Sequence, residues 1–473
     1  MISDRVSMGA AYDSQERDPA PRCHPGTRRN ALERIETWVE AGSGGTSILW
    51  LHGPAGAGKS AIAQTVAETC AGRNQLAATF FFARTVAGRN SIRHLFPTIA
   101  VQIALSEPEK SQRLDKILNS QLYILARAWG SVDLVASLFQ DSSHTNPSPL
   151  VVIIDGLDEC QGHDDQLRIL TEVSRMVKTH HLPLRFVIVS RPEPHLCDAF
   201  EEPSMATITE ILSLYADFRA RADVYSYLRS EFSRIHNSKR HKYVMQFVPI
   251  PWPSEDAIWQ IVHKSGGYFI YASTVIRFID EENFSPTDRV AQVLNSSNSS
   301  ISSPDSAPFA ELDKLYLQIL SSCPTSNLPT LKRILGYIID PRRYDPVNVI
   351  LVIDIDVLEA FLRLPRGQVK LILRRLRSLV SFGESHGDVS LPTLHHASFG
   401  DFLLDKDRSR DYHLDFEEWK YMAFCDAFSL GCNMFGPSVD TGSYYASRHQ
   451  KGLLVTIAGA SSLLKSEKTD IYL

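Results

Sequence analysis

An α/β fold, a parallel sheet covered on both faces and followed by helical and winged-helix domains, is predicted from three segments of this sequence. Each is a short apolar run of the kind that makes a strand buried on both faces, and each ends in residues suited to phosphate chemistry. The first, Ile48-Leu49-Trp50-Leu51, leads into Gly53-Pro54-Ala55-Gly56-Ala57-Gly58-Lys59-Ser60 and then into the alanine-rich stretch 61–71. The second, Leu150-Val151-Val152-Ile153-Ile154, leads into Asp155-Gly156-Leu157-Asp158-Glu159. The third, Leu184-Arg185-Phe186-Val187-Ile188-Val189, leads into Ser190 and Arg191.

Strand, glycine-rich loop and helix in that order are the parts of a phosphate-binding loop, so the predicted sheet is that of a P-loop NTPase. Gly53, Gly56 and Gly58 let the backbone wrap closely enough for its N–H groups to cradle phosphates, with Pro54, Ala55 and Ala57 completing the loop. The helix start at Lys59, Ser60 and Ala61 points its partial positive charge at the same anion. Lys59 would reach the β- and γ-phosphates and the Ser60 hydroxyl would hold Mg²⁺. The plainer alternative is a glycine-rich turn in which Lys59 is a solvated charge.

Asp155 occupies the Walker B position, where a carboxylate binds the Mg²⁺ shell. Asp158 and Glu159 follow just past the strand, and either one would orient or deprotonate a water beside the γ-phosphate. A solvated acidic loop is the competing reading. Arg191 emerges at the carboxyl edge where ligands bind in open α/β sheets, either to sense the γ-phosphate or to cap the strand from the surface.

With 473 residues the chain has room for about three domains. A net charge of −5 argues against a dominant nucleic-acid surface. The run Arg374-Arg375-Leu376-Arg377 lies among Leu371 and Leu373 and reads as the solvated side of an amphipathic helix. The seven cysteines are scattered without a Cys-x-x-Cys pair, which indicates neither a disulfide framework nor a zinc site and suits a cytoplasmic setting. Residues 1–21 are polar and charged, unlike a secretory signal, and no apolar run reaches the roughly 18 residues of a membrane span.

Along the chain, residues 1–22 read as disordered and 23–200 as the nucleotide-binding domain. Within it, 31–40 has helical spacing, 77–83 reads as a strand, and 91–105, 112–126, 132–139 and 164–179 read as helices. Helical periodicity dominates 201–294, notably at 224–235, 255–262 and 268–279, and 295–308 is a Ser/Asn-rich linker. In 309–415, helices at 309–320, 331–339 and 369–379 precede a short strand at 389–394, a winged-helix order. Residues 416–473 form a C-terminal, partly helical segment without repeats.

These residues carry a resemblance to NACHT-domain proteins of the STAND class of signalling NTPases, and to the fungal NACHT proteins related to Nod-like receptors. It rests on Cys23-His24-Pro25-Gly26-Thr27-Arg28, Phe80-Phe81-Phe82-Ala83-Arg84, Pro97-Thr98-Ile99-Ala100, Asp155-Gly156-Leu157-Asp158-Glu159-Cys160 and Ser190-Arg191-Pro192. It continues through Gly266-Gly267-Tyr268-Phe269-Ile270-Tyr271-Ala272 and Leu312-Asp313-Lys314-Leu315-Tyr316 to His395-His396-Ala397-Ser398-Phe399-Gly400-Asp401-Phe402-Leu403, spanning about 23–415. The resemblance implies a module that rests with ADP and opens on exchange for ATP. It further implies that one winged-helix histidine, His395 or His396, contacts the ADP phosphates; from spacing alone, a core-edge histidine pair fits equally.

Such proteins usually also carry an effector domain and C-terminal repeats. The polar residues 1–22 cannot form an effector, so the chain is expected to be a shortened product or to act through a protein partner. The leading expectation is a switch that binds ATP or ADP with Mg²⁺, GTP remaining open, hydrolyses slowly and self-associates when ATP-bound. A non-hydrolysing, nucleotide-bound scaffold is the alternative. A P-loop phosphotransferase is weaker, because the Asp158-Glu159 pair favours water and no arginine-rich lid segment follows.

Overall fold

The computed structural model describes residues 5–41, 45–120, 133–139, 150–214, 219–295, 310–339, 355–382, 392–416, 418, 419 and 422. Two compact units divide the chain, Met1–Tyr227 and Leu228–Leu473.

In the first unit, β1 (Ile48–His52), β2 (Leu76–Phe81), β3 (Leu150–Asp155), β4 (Leu184–Ser190) and β5 (Thr209–Ser213) form one sheet in the order β2-β3-β4-β1-β5. All of its pairings are parallel. Side chains alternate across the pleat, so Ile48, Trp50, Ile154, Phe186 and Ile188 join the apolar cluster on one face. Leu49, Leu51, Ile153, Val187 and Val189 join the cluster on the other. That double burial is why these strands read as unbroken apolar runs. Helices α1 (Arg29–Glu40) and α2 (Lys59–Gly72) cover the second face with Ile35, Trp38, Ile62 and Val66. The first face is covered by α3 (Ile92–Ser106) and by His163–Lys178 and Pro194–Glu201.

Several boundaries differ from the expected ones for local reasons. β2 stops at Phe81: the Phe82 N–H makes the last bond to β3, at the Asp155 carbonyl, and the Ala83 N–H then turns to the Arg89 carbonyl, both at 2.8 Å. The helix expected at 112–126 begins at Pro108, a first-turn position where a missing N–H costs nothing, and its expected end at 121–126 lies outside the described residues. The sheet also continues past residue 200 into β5, which pairs with β1 from Ile48↔Thr209 to His52↔Ser213. As an edge strand, β5 needs no continuous apolar run: Thr209 and Leu212 are buried, while Ile211 is exposed.

Residues 5–22 are ordered where disorder was expected. Gly9, Ala10 and Ala11 are buried. The Ser7 N–H donates to Thr98 Oγ1 at 2.9 Å, and that of Tyr12 to Thr79 Oγ1 at 2.8 Å. Small residues with accessible N–H groups let this strap lie flat along β2, the sheet edge. From the other side, Gln102 of α3 accepts from the Thr79 N–H at 3.0 Å and donates to the Thr79 carbonyl at 2.8 Å. Replacing Gln102 with Leu strips both partners from a fully buried residue and is expected to cost about 2–4 kcal/mol, read as a lower denaturant midpoint at unchanged slope.

The second unit is helical: its described elements include Glu255–Ser265, Phe269–Ile279, Pro286–Asn295, Ala310–Ser321 and Leu328–Ile339. The helix expected at 369–379 is Gln368–Leu373 with a tighter turn at Arg374–Leu376. A two-stranded antiparallel ladder of β6 (Val380–Ser381) and β7 (Thr393–Leu394) then leads into the helix Ala397–Leu404. This is the expected order of helices and a short β-element; 389–391 lie outside the described residues, as do the linker residues 296–308 and most of 416–473.

Candidate functional site

The parallel register puts the functional residues along one edge. β4 lies between β1 and β3, with His52 level with Ser190 and Asp155 level with Val189. The phosphate loop, the Walker B acid and Arg191 therefore leave the sheet side by side. Gly56 and Gly58 have φ of +72° and +89°, left-handed values that a side chain would strain. A Cβ on Gly53 would come within 3.0 Å of Leu214 Cβ. The loop thus carries glycine where its curvature and its packing require it.

Lys59 folds back over the loop and donates to the carbonyls of Gly53 and Pro54, both at 2.9 Å. Desolvation lowers its pKa, with the charges of Asp158, Arg191, Asp155 and Glu159 acting after it. All five side chains are thus within electrostatic reach, an assembly of residues far apart in the chain.

Asp155 is buried at the end of β3 and hydrogen-bonded by the Ser60 hydroxyl. Burial raises its pKa to about 6, against that hydrogen bond and the positive charges of Arg17 and Lys59. Its Oδ1 is buried and meets no hydrogen-bond donor among the described residues. An orphaned carboxylate oxygen beside a hydroxyl is a donor set made for a hard divalent cation, so Ser60 and Asp155 fit Mg²⁺.

The two following acids play different parts. Asp158 is bound twice by Arg191: Oδ1 accepts the backbone N–H at 2.9 Å, and Oδ2 lies 3.2 Å from Nε. Glu159 accepts the Arg84 N–H at 3.1 Å. Its pKa is raised to about 7, first by desolvation and then by the negative charge of Asp158. Arg191 is accordingly held at the strand end by its pairing with Asp158 rather than standing bare on the surface. It is an ion-paired cation beside the loop, with a side chain 21% exposed. Ser190 is fully buried and accepts the Trp50 indole N–H at 2.9 Å, a structural task.

His395 and His396 lie in the second unit. His395 Nε2 is 3.0 Å from the Arg377 carbonyl; its pKa is pushed down to about 4 by desolvation and then by the charge of Arg277, although the residue keeps an exposed edge. His396 Nδ1 accepts the Ser398 N–H at 3.0 Å and so caps the helix Ala397–Leu404.

Three arginines around the site had no assigned role in the sequence reading. Arg28 is buried and donates from Nη2 to the Ala57 carbonyl of the loop at 2.7 Å. Arg89 donates from Nε to the Phe81 carbonyl at 3.1 Å. Arg17 lies over the Phe81 ring at 3.4 Å and donates to Gln64 Oε1 of α2 at 2.8 Å, which ties the strap to the phosphate-loop helix. Only the small apolar run at 9–12 hinted that this segment packs.

Residues 26–191 match the family model described as Nephrocystin 3, N-terminal. No match was found among curated proteins. Among solved structures, the chain is similar to a Signal Transduction ATPase with Numerous Domains (STAND) protein with a tetratricopeptide repeat sensor from Pyrococcus horikoshii, at 12% identity and a TM-score of 0.43 over 94% of this chain. It spans 50% of the length of that protein. It is similar also to the Walker-type ATPase of Pyrococcus abyssi, at 12% identity, TM-score 0.36, covering 80% of this chain and 96% of that one. For Cdc6p from Pyrobaculum aerophilum the values are 12%, 0.36, 80% and 93%. No described helix is long and apolar enough to cross a membrane. A phosphate loop leaving β1 and an acid-bearing strand two places along the parallel sheet give this chain the fold of a P-loop NTPase.

Proposed function

We propose that the chain is a nucleotide-operated switch that binds ATP or ADP with Mg²⁺, hydrolyses ATP slowly and associates with further copies of itself in the ATP form. The observation that most supports this is the convergence of Asp155, Asp158, Glu159 and Arg191 on Lys59 at the mouth of the loop. Ser60 and Asp155 would hold Mg²⁺, which would supply positive charge against that developing on the phosphates. The loop amides and the start of α2 hold the phosphates, and Lys59 exchanges the Gly53 and Pro54 carbonyls for phosphate oxygens. Asp158, engaged by Arg191, keeps that guanidinium at the loop to sense the γ-phosphate. Glu159 takes the proton of the attacking water, its raised pKa matching a base that works near neutral pH.

In the ADP form, one of His395 and His396 contacts the phosphates, and its replacement by alanine speeds ADP release. The finer placement among NACHT proteins related to Nod-like receptors rests on the motifs quoted above, and with it a cytoplasmic setting and a protein partner that supplies sensing or output. One observation favours the non-hydrolysing scaffold: both acids past β3 already hold protein groups. Turnover and light scattering of the chain with ADP and with ATP separate the two readings. Slow turnover with ATP-dependent growth in mass supports the switch; neither, with tight binding, supports the scaffold. Asp155→Asn is expected to weaken binding about 10–100-fold with Mg²⁺ present and little in chelator. Equal loss in both conditions would make Asp155 merely structural.

A further inference from the structure

The second unit displays an apolar face that its own core does not use. Tyr243, Phe247 and Ile250 are 87%, 81% and 75% exposed. Val244, between them, is exposed too. Single exposed apolar residues are ordinary, but large ones grouped within one short segment mark a docking surface.

The segment is held firmly from behind. His241 is buried, with Nε2 3.0 Å from Asp280 Oδ1. Met245 is buried on the opposite side of the same short helix, Lys242–Met245. The His236 ring donates to the Val248 carbonyl at 3.0 Å, and Trp252 packs edge-on against Phe232 with centroids 5.6 Å apart. The outward side chains are therefore presented by a fixed platform.

Charge says what the platform meets. No Asp or Glu occurs from 232 to 254, whereas Arg234, Lys239, Arg240 and Lys242 do, in a chain of net charge −5. Asp280 engages Arg234, Arg240 and His241, while Lys239 and Lys242 stand exposed next to the apolar side chains. Lysine is depleted in protein–protein interfaces, and the aliphatic Val244 and Ile250 offer no flat surface on which a base could stack. Lysines rimming aromatic and aliphatic tips match the two layers of an anionic bilayer surface, headgroup charge above and hydrocarbon below.

We propose that the 239–250 face of the second unit docks on an anionic phospholipid surface, with Tyr243, Phe247 and Ile250 entering the interfacial layer and Lys239 and Lys242 pairing with the headgroups. The contact is peripheral and independent of the nucleotide reading. The test is co-sedimentation of the full chain with phosphatidylcholine vesicles, with and without phosphatidylserine. Partition is expected to rise roughly tenfold or more with phosphatidylserine, and high salt is expected to reverse it. Tyr243→Ser with Phe247→Ser should abolish binding, and Lys239→Glu with Lys242→Glu should remove its dependence on phosphatidylserine. Should the first pair lower the melting temperature, the lysine pair, wholly on the surface, decides alone. Failure to bind either vesicle overturns the proposal, as does equal binding to both. A vesicle-free change in oligomeric state caused by the Ser pair would instead make the face an interface between copies, and retention of single-stranded RNA without vesicle binding would make it a nucleic-acid surface.

Discussion

Lys59→Ala is expected to lower ATP and ADP affinity by at least about a hundredfold, close to 3 kcal/mol, while leaving the fold intact. Lys59 is the cation that closes over the loop, and a phosphate ligand would take over its two carbonyl contacts as charge-assisted hydrogen bonds. Its removal should not harm the fold, because burial already disfavours the ammonium and the two loop carbonyls can turn to water. Calorimetry with ADP, paired with a thermal melt, checks both halves. Unchanged affinity in a folded variant would reduce the loop to a glycine-rich turn.

Glu159→Gln is expected to slow hydrolysis by a factor of about 10² to 10⁴ with ground-state binding largely kept, the usual consequence of removing a general base. A switch so altered should accumulate in its associating form, visible as greater mass by size exclusion with light scattering after ATP loading. Asp158→Asn should act differently. It weakens the pairing that holds Arg191 by both its N–H and its guanidinium, so its effect should resemble that of Arg191→Ala: less ATP-induced assembly with ADP binding retained. If Glu159→Gln keeps wild-type turnover while Asp158→Asn abolishes it, the roles of the two acids are reversed. If neither changes turnover, the scaffold reading gains.

Why the acids separate in this way lies in their neighbours. They are adjacent in the chain and chemically alike, so either could have faced the water. Only the fold shows that Asp158 meets the end of β4 and Glu159 the backbone after β2. The same holds for Arg191, whose position at a strand end was legible but whose ion pair was not.

What the sequence by itself determined is the part governed by local rules. Buried parallel strands need unbroken apolar runs, and a phosphate loop needs glycine at its tight positions; both patterns stand openly at 48–60, 150–159 and 184–191. The tertiary structure alone decided what depends on partners distant in sequence. β5 has too few apolar residues to be read as a strand until β1 supplies its hydrogen bonds. The strap at 5–22 reads as a polar tail until Thr79, Thr98 and Gln64 offer it acceptors, and with it Arg17 comes near enough to Asp155 for its charge to oppose in part the burial that raises that acid's pKa. Periodicity records which face of an element is buried, whereas a hydrogen bond across dozens of residues leaves no period behind it.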